Sequence, residues 1–249
     1  MKPEPFTPPP PDIPRKHRPR GLTILYEDRD LLVVDKEPGV LTTETRKGED
    51  FTAENTLNDY VRKGCVRSSK RVWLVHRLDR ETSGVMLFAK TEQAQQVLKD
   101  NWKKTEKLYL AVIRGHLNEK RGIFSSYLAE DENQFVRSVI DPAKGKFAQT
   151  AYAVIKETRA LSAVKIRLLS GRKNQIRVHF SEHGHPVVGD RKYGDSPPFR
   201  ERLCLHAKSL AFDHPHSGKR YSFDTAIPSL FGRLLNGLTE DDWRHVNVP

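Results

Sequence analysis

With 249 residues, 37% of them hydrophobic and 30% charged, the chain has the balance of a globular protein and is long enough to bury a sizeable core. Lysine and arginine outnumber aspartate and glutamate 43 to 32, and the resulting net charge of +11 favours nucleic acid or an anionic membrane surface as partner. Two cysteines, Cys65 and Cys204, are too few and too far apart for a disulfide framework or a CxxC metal site, which fits a reduced, cytoplasmic setting.

The first twenty residues are rich in proline (Pro3, Pro5, Pro8 to Pro11, Pro14, Pro19) and close on Arg15, Lys16, Arg18 and Arg20. Proline fixes φ and removes backbone donors, so residues 1–20 are expected to be a disordered, extended tail. Its basic end suits either phosphate tracking or an inert solvated arm. No apolar signal-peptide core is present in it.

Order is expected from Leu22 onward. Leu22–Tyr26 and Leu31–Asp35 are short apolar runs separated by Glu27-Asp28-Arg29-Asp30, the pattern of a β-hairpin. Pro38-Gly39 breaks the chain before Val40-Leu41-Thr42-Thr43, and Thr56–Lys63 carries Leu57, Tyr60 and Val61 at helical spacing. Strands are expected at Trp73–Val75, Val85–Ala89, Tyr109–Ile113, Thr150–Ile155 and Ala163–Leu168, with a helix over Glu92–Trp102. A second long helix should follow Ser170-Gly171 and run to about His183, with Ser170 as its N-cap and Gly184 beyond its end. Short strands at Leu203–His206, Leu210–Phe212 and Tyr221–Asp224 and a last helix over Ser229–Asn236 complete the chain. Strands outnumber helices without alternating with them, which predicts an α+β fold with a mixed, largely antiparallel sheet and flanking helices, as one domain over residues 21–249. The apolar runs are strand-sized, far short of a membrane span.

Chemistry concentrates in His76 to Gly84. An apolar run, Val72 to Val75, leads into this polar cluster, and a second, Val85 to Ala89, leads out of it. The cluster therefore sits on a loop held by two buried strands, where reactive groups are usually placed. Asp79 lies between Arg77 and Arg80, cations able to pair with it and hold it ionised. For a lone aspartate, a capping role in a tight turn is the plainer reading.

The whole string His76-Arg77-Leu78-Asp79-Arg80-Glu81-Thr82-Ser83-Gly84 resembles the HRLDxxTSG signature of the RluA-type RNA pseudouridine synthases at every fixed position. Pro38 to Leu41, Lys107 to Gly115, Ser170 to His179, Gly184 to Asp190 and Leu205 to Ala207 resemble further stretches of that family in the same order. Ser170 and Asn174 depart mildly from its commoner residues and leave Arg177 in place. Twenty proline-rich residues are too few for the N-terminal S4 domain that many members carry, so the catalytic domain is expected to bind RNA itself.

The resemblance implies an isomerase that converts uridine in structured RNA, ribosomal or transfer, to pseudouridine. It implies no cofactor and no metal, because nothing is oxidised or hydrolysed. It makes Asp79 the catalytic carboxylate, Arg177 the arginine that would keep it ionised, and Tyr109 the aromatic that stacks on the base or serves the C5 proton. Taken alone, Arg177 reads as a surface helix arginine and Tyr109 as an ordinary strand aromatic. Uridine in structured RNA must be extruded before its sugar meets Asp79. Arg77 is a candidate to fill the vacated stack, and Arg80, Arg172 and Lys173 are candidates for contacts to RNA. A cytoplasmic monomer with RNA as partner and no membrane association completes the expectation.

Two rival readings differ in class. His179 and His183, four apart on a helix with His185, His206, His214 and His216 downstream, have the spacing of ligands in a metal hydrolase, although the acid expected between such histidines is missing. A non-catalytic RNA-binding protein on the same fold is the other.

Overall fold

The computed structural model describes residues 6–14, 17–44, 48, 51–65, 67–194 and 201–249. Pro3, Pro5, Arg15 and Lys16 of the basic tail therefore lie outside the described residues. The chain divides into two compact units, residues 1–106 with 207–225 and residues 107–206 with 226–249.

In the first unit, β1 (Leu22–Glu27) and β2 (Leu31–Lys36) form the expected antiparallel hairpin. Asp28 makes the turn: its Oδ1 accepts the N–H groups of Asp30 and Leu31 at 2.8 and 2.7 Å. Its Oδ2 lies 2.7 Å from His214 Nε2 and accepts the Tyr26 hydroxyl at 2.9 Å. Burial alone would raise the Asp28 pKa, but the bonds from His214, the two amides and Tyr26 hold it below the usual carboxylate range.

Strand β2 then pairs antiparallel with β4 (Ser83–Ala89), from Leu31 opposite Ala89 to Lys36 opposite Gly84. All seven residues of β4 are buried, as a central strand requires. The two-residue β3 (Trp73–Leu74) also pairs with β4, β10 (Leu205–Asp213) lies on its other side, and β11 (Arg220–Asp224) is antiparallel to β10. Two helices cover this unit. The first, α1 (Ala53–Arg62), starts three residues before its expected position, because Thr52 caps it by accepting Asn55 N–H at 3.1 Å. The second, α2 (Glu92–Asp100), is capped in the same way by Thr91. Leu98 of α2 packs in one core cluster with Leu31, Val33, Val85, Leu87, Leu210 and Phe212.

Part of the proline-rich tail is held rather than disordered. Phe6 bonds to the backbone of Arg220 and Ser222 and sets its ring 5.4 Å from that of Tyr221.

The second unit is built on antiparallel strands in the order β5 (Glu106–Arg114), β9 (Leu161–Leu168), β8 (Lys146–Glu157), β6 (Arg121–Glu130), β7 (Val136–Val139). β6 and β7 are additions to the expected strands. Gly122, Ser125 and Ser126 dilute the apolar alternation of β6, yet eight residue pairs with β8 hold it as a strand. Around these strands are α3 (Gln175–Glu182), α4 (Ser229–Leu234) and α5 (Glu240–Arg244). The core here includes Leu110, Val112, Val164, Ile166, Ile176, Phe180 and Phe231.

Three local expectations need correction. The segments Leu203–His206 and Leu210–Phe212 are not two strands, since Leu205–Asp213 is a single strand. The last helix ends at Leu234, and α5 follows it, started by a capping box at Thr239. Ser170 is not an N-cap: α3 begins only at Gln175, after Asn174 in the left-handed region with φ 53°. The Ser170 hydroxyl instead accepts Gln149 N–H at 2.8 Å and donates to Gln175 Oε1 at 2.7 Å. The overall expectation of an α+β fold with a largely antiparallel sheet holds. Among the described residues, no helix is long and apolar enough to cross a membrane.

Candidate active site

Strands β3 and β4 hold the loop from Val75 to Thr82, as the two apolar runs on either side of it require. His76 accepts the Leu87 N–H on Nε2 at 3.0 Å and stacks on Trp102 with ring centroids 4.7 Å apart. Leu78, Thr82 and Ser83 are buried. Gly84 has φ +114°, and a Cβ placed on it would come within 2.2 Å of Ala207 O on β10. Only glycine fits there. Much of the His76–Gly84 string is therefore anchorage, and of its two carboxylates Asp79 is half-buried and Glu81 exposed.

Both neighbours of Asp79 are fastened. The Thr42 hydroxyl donates to Leu78 O at 2.7 Å and accepts Leu78 N–H at 3.2 Å. On the other side, Arg80 O accepts Gly39 N–H at 2.9 Å and the Lys36 ammonium at 3.0 Å. Lys36 is fully buried and also donates to Val40 O at 2.9 Å and Glu37 O at 3.0 Å. A charged donor shared among carbonyls is a strong tether, because each bond is charge-assisted in a site shielded from water. Thr82 N–H closes the turn onto Asp79 O at 3.1 Å. Asp79 thus projects from backbone that has little freedom, the usual condition for a positioned reactive group.

Of the two arginines beside Asp79, Arg80 is engaged by the Gly39 carbonyl. Arg80 Nε donates to Gly39 O at 3.1 Å, and its guanidinium lies 3.9 Å from Glu81. Arg77 is exposed.

In the second unit, Tyr109 is half-buried on β5 opposite Ile166 and packs against the core. Arg177 is on α3 and forks onto Asp190, with Nε to Oδ2 and Nη2 to Oδ1 both at 2.7 Å. The Arg177 side chain is 13% exposed and that of Asp190 fully buried. Burial alone would raise the Asp190 pKa, but the bonds and charge of Arg177 and the amides of Tyr193 and Lys192 hold it below the usual carboxylate range. The fork fixes the plane of the guanidinium, which a monodentate contact would not. Arg172 and Lys173 lie in the loop before α3 rather than in its first turn. There Arg172 Nε donates to Phe147 O at 3.0 Å, and Lys173 pairs with Glu130.

The histidines offer little to a metal. His179 is buried, with Nδ1 2.8 Å from Thr150 Oγ1 and Nε2 3.0 Å from Ser126 Oγ. Burial pushes its pKa down to about 4. His183 stacks on Phe124 and bonds through Nδ1 to His179 O. Among the described residues, no group of three or more His, Cys, Asp or Glu could hold a metal ion.

Sequence reasoning did not single out Lys36, Thr42 or Asp190 for any role. Pro38-Gly39 and Gly184 to Asp190 marked their neighbourhoods, but the contacts they make cross 36, 44 and 13 positions of chain.

The family model described as RNA pseudouridylate synthase matches residues 30–182. An uncharacterized RNA pseudouridine synthase of Bacillus subtilis is 33% identical over 221 residues, which span 88% of this chain and 77% of that protein. The ribosomal large subunit pseudouridine synthase D of Pseudomonas aeruginosa is 33% identical over 236 residues, spanning 88% of this chain and 72% of that one. Among solved structures, human RNA pseudouridylate synthase domain containing 1 superposes with a TM-score of 0.69 at 27% identity, covering 92% of this chain and 96% of its own.

Proposed function

The chain belongs to the RNA pseudouridylate synthase family, enzymes that isomerise RNA uridine, and from that premise we propose that it acts on specific uridines of structured RNA with Asp79 as the catalytic carboxylate. The observation that carries the proposal is the loop itself: the full signature string is present, and hydrogen bonds on both neighbours of Asp79 fix its backbone.

Pseudouridine formation breaks the N1–C1′ bond of uridine, turns the base and forms a C5–C1′ bond. C5 gives up its proton and N1 takes one up, so atoms and electrons balance without an oxidant or a water. An ionised carboxylate serves both routes to that bond cleavage, addition to C1′ or removal of the C2′ proton. In our reading Arg177 keeps Asp79 ionised, its own orientation set by Asp190. Tyr109 stacks on the base or serves the C5 proton. Arg77 fills the gap left by the extruded uridine, since a planar guanidinium can stack where a base has left. Arg80, Arg172 and Lys173 contact the RNA. Residues 21–249 act as the catalytic domain, in the cytoplasm and as a monomer.

The related protein of Pseudomonas aeruginosa is named for the large ribosomal subunit, which favours ribosomal over transfer RNA as the substrate here. The test is release of tritium from RNA labelled at uridine C5. The wild type is expected to release it and Asp79→Asn to release none. Undiminished release by Asp79→Asn would refute the assignment of Asp79, and no release from any RNA by the wild type would favour a non-catalytic RNA-binding protein.

A further inference from the structure

A groove of about 440 Å³ lies in the second unit. Its floor includes Leu128 and Val136, both buried. Four cations line it, Lys144, Lys146, Arg172 and Lys173, against one carboxylate, Glu130. Lys173 is already paired with that carboxylate. Lys144 is 3.8 Å from Asp141, a loose contact between exposed side chains. The Lys146 side chain is exposed, as is that of Arg172, whose Nε is committed to Phe147 O. The groove thus keeps a strong local excess of positive charge, the footprint of a polyanion site.

Its walls are built rather than accidental. Gln175, which is buried, accepts Arg172 N–H at 3.0 Å and the Ser170 hydroxyl at 2.7 Å on Oε1. Its Nε2 donates to Gln149 O at 2.8 Å and to Thr150 Oγ1 at 2.9 Å. The loop bearing Arg172 and Lys173 is therefore tied to β8 at several points. Between Lys144 and Lys146, a Cβ on Gly145 would lie 2.6 Å from Val139 Cγ2 and 2.9 Å from Tyr127 Cβ. Glycine lets the turn between Lys144 and Lys146 press against β6 and β7. Cations on such fixed walls lose less entropy on binding than cations on free arms.

We infer that this groove binds the phosphodiester backbone of the RNA substrate, with Lys144, Lys146 and Arg172 as phosphate contacts. The inference rests on the proposed function for its choice of polyanion. All groove residues belong to the second unit and Asp79 to the first. The groove contributes to RNA affinity and docking register rather than to bond rearrangement, as backbone contacts do in general.

The test is equilibrium binding of fluorescently labelled fragmented ribosomal RNA and bulk transfer RNA to the full chain, from about 50 to 200 mM salt. Lys144→Gln/Lys146→Gln is expected to weaken binding about tenfold or more at the low-salt end and to lower the log–log salt slope by between one and two, since each phosphate contact contributes about 0.7 to 0.9. Lys99→Gln/Lys219→Gln, two exposed lysines outside the groove, serves as the charge-matched control and should leave the slope unchanged. An unchanged melting temperature establishes that the groove variant is folded. Wild-type affinity and slope in the folded groove variant overturn the inference. So does an equal loss in the control, and so does a groove that binds inorganic phosphate or free nucleotide without any effect on RNA. Tritium release is read separately: a wild type that binds RNA through the groove but releases no tritium refutes the proposed isomerisation and leaves the groove standing.

Discussion

The Thr42 hydroxyl closes both backbone groups of Leu78, donating to its carbonyl at 2.7 Å and accepting its N–H at 3.2 Å. Leu78 immediately precedes Asp79, so a threonine 37 residues upstream sets the exit direction of the chain at the proposed catalytic carboxylate. Thr42→Val keeps the volume and removes the hydroxyl. Two buried backbone groups then lose their partner, at a cost of about 1–3 kcal/mol each if neither finds water. A shift of the carboxylate by even 1 Å should lower kcat by about 100-fold. Thr42→Ser retains the hydroxyl and should keep most activity. Comparison of kcat and melting temperature for the two variants checks this, and equal kcat in both would remove Thr42 from the positioning of Asp79.

Gly84 gives a prediction about folding. Its φ of +114° is a region that side chains rarely adopt, and the backbone carbonyl of Ala207 stands 2.2 Å from where a Cβ would be. No flexible side chain can yield there. Gly84→Ala should destabilise the protein by about 3 kcal/mol or more, combining backbone strain with displacement of β4 from β10. Denaturant unfolding would measure it, and a loss below about 1 kcal/mol would mean that the two strands separate easily.

The Arg177–Asp190 fork should respond asymmetrically to substitution. Asp190→Asn removes a fully buried charge and leaves the guanidinium without its two-point partner, which should cost about 3–5 kcal/mol. Arg177→Lys keeps the charge but cannot reproduce two parallel bonds. It should lose less stability than Asp190→Asn while losing at least tenfold in tritium release, if the orientation of the guanidinium matters to Asp79 as proposed. Wild-type turnover by Arg177→Lys would remove Arg177 from the reaction.

His179 sets an acid limit. Its folded pKa of about 4 lies below the ordinary value of 6.5, because burial disfavours the charged ring. The unfolded chain therefore binds this proton first as pH falls. The stability tied to neutral His179 is fully present above pH 6.5 and is lost progressively down to about pH 4. At pH 5 the loss should be on the order of 2 kcal/mol. His179→Gln, which has no such proton to gain, should flatten the fall in unfolding free energy between pH 7 and pH 5. A fall of the same size in the variant would assign it to other groups.

The sequence by itself determined the family, the α+β class and the place of Asp79, because each is written in local pattern. The signature spans nine consecutive residues. The hairpin of β1 and β2 follows from two apolar runs and a charged turn, and β4 from an apolar run that leaves the signature loop. Such features depend on neighbours in the chain, which a sequence displays directly. Local reading failed where distant segments decide: β6 is a strand because β8 pairs with it despite its serines and glycine, and α3 starts late because Ser170 is committed to Gln149 and Gln175. Tertiary structure alone revealed that Thr42 and Lys36 fasten the residues on either side of Asp79, that Asp190 orients Arg177, and that Lys144 and Lys146 line one groove with Arg172 and Lys173. Hydrogen bonds and charge pairs of this kind act over a few ångströms of space, and no spacing along the chain records which residues folding will bring that close.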